Sequence, residues 1–271
     1  MAETKMNVTL IANTQLNPNF YSGLGEYIDG LYDSKRVDDG QLVALTSIRT
    51  CYSANKPSEI IAKEGAKYFG KKAADGGKGS EADRLIRHIT NSGHLSVYEH
   101  ITFTFAIEGV SRALLAQLTR HRVGFSFSVQ SQRYVKFGSG DRSGGSDYIR
   151  PDAIDDDKFL WSGEKWAKDS TATSAFGLFY EAMKNAQESY DKLRSAGVPA
   201  EDARAVLPQA TACNLVMTAN LRSLLDFYAK RNEETHAQGE IQSLAESLRK
   251  AVSEVEPWTD ALFEATKKPQ K

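Results

Sequence analysis

Apolar positions along the chain recur at two spacings, and each spacing predicts elements. Residues 6–12 (MNVTLIA) read as a short strand and 42–50 (LVALTSIRT) as an apolar helix. Over 58–70, Ile61, Tyr68 and Phe69 fall at i, i+7 and i+8, which is helical spacing, although Gly65 lies inside the stretch. Leu85, Ile86 and Ile89 set a helix over 81–92 that Ser92-Gly93 stops. The segment 101–107 (ITFTFAI) alternates in its first five residues and is the best strand of the chain. Ser111 then caps a helix, SRALLAQLTRHR, with Leu114, Leu115 and Leu118 as its buried stripe. On that helix Gln117, Arg120 and His121 lie at i, i+3 and i+4 and share one face.

Further along, residues 172–196 predict a long amphipathic helix ending at Gly197. Another helix starts at 198–202, with Pro199 early and acids in its first turn, and stops at Pro208. The last strong helix begins near Asn220, with Leu221, Leu224, Leu225 and Tyr228 as its core stripe and Arg222 and Asp226 sharing another face. Residues 71–79 (KKAADGGKG) read as a solvated surface loop and 137–147 (FGSGDRSGGSD) as a mobile one. No internal repeat or linker interrupts the pattern. It predicts one α/β (α+β) domain over 1–271, a mixed sheet flanked by long helices, with loop insertions near 70–80 and 137–147.

Composition narrows the function classes. The 271 residues are 41% hydrophobic and 25% charged, ordinary globular values, with a formal net charge of -1. A sequence-independent nucleic-acid binder carries a basic excess, which this chain lacks. Cys51 and Cys213 form no CxxC pair, which disfavours a disulfide scaffold or thiolate metal site. His94 and His100 have no third ligand at useful spacing, so no metal is expected. The N-terminus has no long apolar h-region and no stretch approaches a membrane span, so a cytoplasmic protein is expected.

Candidate chemistry concentrates in RHRVGFSFSVQSQRY, from Arg120 to Tyr134. Guanidinium forks bind phosphate and carboxylate in two-pronged geometry and hydroxyls add donors, so the segment predicts an anionic ligand such as a nucleotide. Four further islands accompany it: SGHLSVYEH (92–100), ARAVLP (203–208), NLRSL (220–224), and Arg231 with HAQGEIQ (236–242).

In that order and spacing the chain resembles the flavin-dependent thymidylate synthases (ThyX), over roughly residues 42–260. The resemblance implies methylation of dUMP to dTMP, with methylenetetrahydrofolate as carbon donor and NADPH as reductant through bound FAD. It also implies a homotetramer with shared active sites. By the same resemblance Gln117, Arg120, Gln130, Ser131, Arg133, Arg204 and Arg231 contact dUMP. His94, Ser96, Arg120, His121, Arg122, Asn220, Arg222 and Asp226 fall on flavin-binding positions. Ser131 and Arg231 are the catalytic candidates. A serine nucleophile needs an adjacent base, and none is evident, so Ser131 reads as a donor that orients the uracil ring. Arg231 reads as the group that stabilises negative charge developing on that ring. His236 reads as a structural hydrogen-bonding residue.

The chain departs from the family pattern at one place in this segment. Eight residues separate Arg122 from Ser131, where the family has seven, and Gln130 stands where relatives carry an acidic or amide side chain. Two alternatives belong to other classes. One is a single-stranded RNA-binding module using Phe125, Phe127 and Tyr134 as stacking platforms. The other is a nucleotide- and flavin-binding relative without folate chemistry.

Overall fold

The structure is a computed structural model that describes residues 1–24, 26–33, 37–162 and 171–267. In chain order the elements are β1 (Asn7–Asn13), α1 (Pro18–Tyr21), α2 (Glu26–Asp33), α3 (Asp39–Thr50), α4 (Ile60–Phe69), α5 (Glu81–Asn91), β2 (Thr102–Ser111) and α6 (Arg112–Leu118). Then come β3 (Phe125–Val129), β4 (Phe159–Ser162), β5 (Thr171–Ser174), α7 (Ala175–Ser195), α8 (Ala200–Ala203), β6 (Ala212–Asn220), α9 (Leu221–Arg231), α10 (Gly239–Val255) and α11 (Asp260–Thr266).

Four strands form an antiparallel sheet in the order β1-β2-β6-β3, and β4 and β5 pair separately. Strand alternation decides which face is buried. Phe103, Phe105 and Ile107 of β2 stand opposite Ala219, Met217 and Leu215 of β6, and Phe125, Phe127 and Val129 of β3 continue the same rows. Leucines of α6 and the apolar stripes of α9, α10 and α11 cover that face. A second apolar cluster joins α2, α3, α4 and α5 through Ile28, Leu42, Leu45, Ile60 and Ile61. Among the described residues no helix is long and apolar enough to cross a membrane.

The predicted strands and helices fall close to their expected places, with informative exceptions. β2 runs on to Ser111 through a bulge at Gly109, whose φ is +62. A side chain there would meet the Lys5 carbonyl oxygen at 2.4 Å, so only glycine fits. Gly65 is accommodated inside α4 because a Cβ would come within 2.7 Å of Ile28 on α2. Residues 172–174 belong to β5, and Ser174 caps α7 by accepting from Gly177 N–H. Two helices, α10 and α11, follow the one expected to be last; Ile241, Leu244, Ala245, Leu248 and Val252 of α10 carry its own core stripe.

Two expectations need correction. The helix opened by Ser111 ends at Leu118, so Gln117 lies on it while Arg120 and His121 lie in the turn beyond. Thr119 caps the last turn, bonding the Leu115 carbonyl through both its N–H (3.0 Å) and its hydroxyl (2.9 Å), and the chain then turns away through Gly124, whose φ is +73. The 137–147 loop is pinned to α7 at several points. Gln187, buried on α7, accepts from Ser146 N–H (2.7 Å) and donates to the Phe137 carbonyl (2.9 Å). Asp191 accepts from Ser139, and the Tyr190 hydroxyl from Phe137 N–H. The buried polar groups of Gln187 and Tyr190 thus find loop partners, which ties the loop to α7.

Candidate active site

The turn between α6 and β3 is stitched to the start of α9. Asn220 caps α9 by accepting from Ser223 N–H at 2.9 Å, and its own N–H donates to the Gly124 carbonyl at 3.2 Å. The Ser223 hydroxyl donates to the Val123 carbonyl at 2.8 Å. Gly124 has a φ of +73, and a Cβ there would sit 2.1 Å from Ser223 Oγ and 2.5 Å from Asn220 Nδ2. The Arg120–Gly124 turn therefore lies directly on the positive end of the α9 dipole.

Beside this junction opens a cavity of about 940 Å³. Leu95, Val123, Leu225 and Leu262 supply apolar wall, and Asn220, Arg222, Asp226 and Glu99 supply polar groups. Arg222 Nη1 donates to Glu99 Oε1 at 2.5 Å, and Asp226 pairs with Lys230 at 2.7 Å, so Arg222 and Asp226 share the cavity without pairing with each other. His94 and Ser96 are exposed and flank Leu95, which does line the cavity. Arg120 and Arg122 are exposed, and neither forms an ion pair among the described residues.

Arg231, the last residue of α9, reaches the same turn from the other end of the helix. Its Nε donates to Nε2 of His121 at 3.4 Å. The imidazole packs edge-on against Phe227 at 5.0 Å and against Phe125 at 6.1 Å. Burial pushes the His121 pKa below its ordinary value, and the cations of Arg231 and Lys230 push it further. His121 is thus a neutral acceptor, and the Arg231 charge is oriented without being cancelled.

The remaining candidates gather past the end of β3. Gln130 extends the ladder through its N–H to the Asn214 carbonyl (2.9 Å), and its side chain accepts from Asn214 Nδ2 at 3.2 Å. β3 pairs with β6 without a register shift, so the extra residue before Ser131 makes no bulge within the strand. Ser131 Oγ accepts from Arg133 N–H at 3.1 Å, and no basic side chain reaches it among the described residues. Arg133 pairs with Glu201 at 2.5 Å, while Arg204 Nε donates to the Glu201 carbonyl at 2.9 Å. Gln117 sits apart and donates to Gln238 at 2.6 Å. His236 is exposed. Among the described residues no cluster of three metal-ligating side chains occurs. Phe125 and Phe127, candidate RNA platforms, are turned onto the inner face of the sheet and stack on each other, which leaves Tyr134 as the exposed ring.

Four residues of these clusters lay outside the sequence expectations: Glu99, Gly124, Ser223 and Glu201. Glu99 falls inside a motif island and Glu201 in the first turn of a predicted helix, but their pairings across 123 and 68 residues depend on the fold.

An α/β protein with a guanidinium at a helix N-terminus, apolar cavity walls and a second arginine cluster is the class that fold and site define. The chain belongs to the thymidylate synthase complementing protein family, whose sequence model matches residues 34–258. It is 38% identical over 197 residues to the flavin-dependent thymidylate synthase of Haloarcula marismortui, covering 70% of this chain and 78% of that one. It is 34% identical over 223 residues to that of Geobacter sulfurreducens, covering 82% of each. The fold is similar to a UMP/dUMP methylase from Streptomyces cacaoi, with a TM-score of 0.66 at 23% identity, over 99% of both chains.

Proposed function

We propose that this chain methylates dUMP to dTMP, taking the carbon from methylenetetrahydrofolate and reducing equivalents from NADPH, with FAD as its bound redox group. Family membership and the names of its relatives support this. The observation that carries it is the cavity at the N-terminal end of α9. The donor set there suits a flavin dinucleotide. Leu95, Val123, Leu225 and Leu262 offer apolar surface to flat rings. Arg222 and the helix N-terminus suit a diphosphate. Asn220 and the carboxylates suit sugar hydroxyls. The volume is at the upper end of the roughly 300–1,000 Å³ typical of small-molecule sites.

On this reading Asn220, Arg222 and Asp226 hold FAD, and His94, Ser96, Arg120, His121 and Arg122 complete the site at its rim. Bound there, FAD supplies hydride-transfer chemistry, and the protein supplies orientation and electrostatics. Gln117, Arg120, Gln130, Ser131, Arg133, Arg204 and Arg231 bind dUMP. The forks of Arg133 and Arg204 meet its phosphate. Ser131 accepts from Arg133 N–H, which leaves its hydroxyl proton free to donate to the uracil ring. Arg231 stabilises the negative charge that develops on that ring, oriented by a neutral His121.

The chain acts as one catalytic unit over 1–271 in a cytoplasmic homotetramer. Two features support a site shared between copies. The Ser131–Arg133–Arg204 group and the Arg120–His121–Arg231 group have no hydrogen bond or ion pair joining them among the described residues. α7 buries only Met183, Gln187 and Tyr190 along its 21 residues, which leaves most of its surface open to another subunit.

The test is product formation. Purified protein is expected to be yellow and to convert dUMP to dTMP when methylenetetrahydrofolate and NADPH are both present. Colourless protein that binds no added FAD and makes no dTMP contradicts the proposal. NADPH oxidation without dTMP would point to a relative that lacks folate chemistry.

A further inference from the structure

The cavity beside α9 is short of positive charge for a ligand that carries a diphosphate. Among its described lining residues Arg222 is the one arginine or lysine, while Glu99, Asp226 and Glu234 are acidic. Arg222 is moreover already engaged by Glu99 at 2.5 Å. Glu99 comes from the 3-10 turn Leu95–His100, and Arg222 from the first turn of α9, 123 residues later. The pair is therefore not a local contact of two neighbours on one helix. Each side chain keeps nearly half its surface exposed, 48% for Arg222 and 47% for Glu99, so both can move.

We propose that Glu99 is an internal competitor for Arg222, displaced when a diphosphate binds, and that it thereby sets how tightly the flavin dinucleotide is held. The proposal rests on the reading of this cavity as the flavin site. A guanidinium presents the same two-pronged donor face to a carboxylate and to a phosphate, so one anion can replace the other without rebuilding the site. In the ligand-free protein Glu99 holds the Arg222 fork at the cavity. On binding, the diphosphate takes Arg222, and Glu99 is left as a like charge at its edge. That repulsion opposes binding, and solvent at a half-exposed site keeps it small. Without Glu99, the competing pair and the repulsion both disappear, while Arg222 stays in place. The exchange involves no covalent step and acts only on ligands that bear phosphate.

The test is titration of flavin-free full-length protein, followed by flavin fluorescence at low ionic strength. FAD and riboflavin, which lacks phosphate, are the two probes. Glu99→Gln preserves size and removes the charge; it is expected to tighten FAD about three- to tenfold, with riboflavin unchanged. Arg222→Gln is expected to weaken FAD, and in that background Glu99→Gln loses its effect. Unchanged or weaker FAD binding in Glu99→Gln, with Arg222→Gln still weakening it, overturns this proposal and leaves the flavin site standing. Equal tightening of riboflavin also overturns it, because Glu99 would then act on the ring. FAD that fails to bind the unsubstituted protein, or binds independently of Arg222, removes the flavin site and this proposal together.

Discussion

Arg231, at the last turn of α9, donates through Nε to Nε2 of His121 at 3.4 Å, and His121 sits in the turn that lies on the start of the same helix. One helix thereby carries the cavity group Arg222 at one end and an oriented guanidinium at the other. The His121 pKa is depressed by burial first and by Arg231 next. Between that lowered value and about 6.5, the unfolded chain takes a proton that the folded chain refuses, so the site's contribution to stability is present above about pH 6.5 and is lost as pH falls. An NMR titration should show a His121 midpoint below that of an exposed histidine. Arg231→Ala should raise the midpoint, lower kcat about 10²- to 10³-fold, and leave the protein yellow. Loss of colour would make Arg231 a flavin ligand instead.

Ser131 has a backbone N–H as its partner and no base, so it is a poor nucleophile. Ser131→Ala should weaken dUMP binding by about tenfold, the worth of one hydrogen bond, and retain measurable turnover. Steady-state KM and kcat for dUMP check this, and complete loss of kcat at saturating dUMP would restore the nucleophile.

Gly124→Ala places a methyl 2.1 Å from Ser223 Oγ in a residue whose φ is +73. The junction between turn and helix must open or the backbone must change, at a cost of about 1–3 kcal/mol. Urea unfolding should show that loss, with weaker flavin retention than Arg231→Ala.

How much of this was legible in the chain differs by element. β2 and α9 could be read because their patterns are local, as the Ile101–Phe105 alternation and the Leu221–Tyr228 stripe show. The end of α6 at Leu118 was hidden, because Thr119, Arg120 and His121 are all compatible with a helix, and the stop comes from a turn that only Gly124 makes possible. The pinned 137–147 loop read as mobile from its glycines and serines, since its anchors Gln187 and Asp191 lie some 40–50 residues away on α7. Site residues could be named from ordered motifs, whereas the pairings that set their charge, Arg222 with Glu99 and Arg133 with Glu201, depend on the fold.

Glu256 ties the start of α3 to the turn after α10. It is 1% exposed, accepts from Gly40 N–H at 2.7 Å and from Trp258 Nε1 at 2.5 Å, and burial pushes its pKa up from 4.5 to about 7, with Asp38 and Asp39 adding to the rise. A raised folded pKa means a contribution fully present below 4.5 and lost as pH rises through about 7. Glu256→Gln stays neutral throughout. Measured by urea midpoints, its stability relative to the unsubstituted protein should therefore improve between about pH 5 and about pH 8. A pH-independent difference would mean that Glu256 is ionised throughout.

On the proposed function, a flavin held beside Arg222 serves dUMP methylation at Arg231 and Ser131. This is tested most directly by anaerobic reduction of the holoprotein with NADPH, followed by addition of dUMP and methylenetetrahydrofolate. Visible absorbance and dTMP are measured in the same samples. The yellow absorbance should bleach with NADPH alone and return, in proportion to the dTMP formed, only when dUMP and methylenetetrahydrofolate are both added. Absorbance that never bleaches, or that returns without dTMP, contradicts that function.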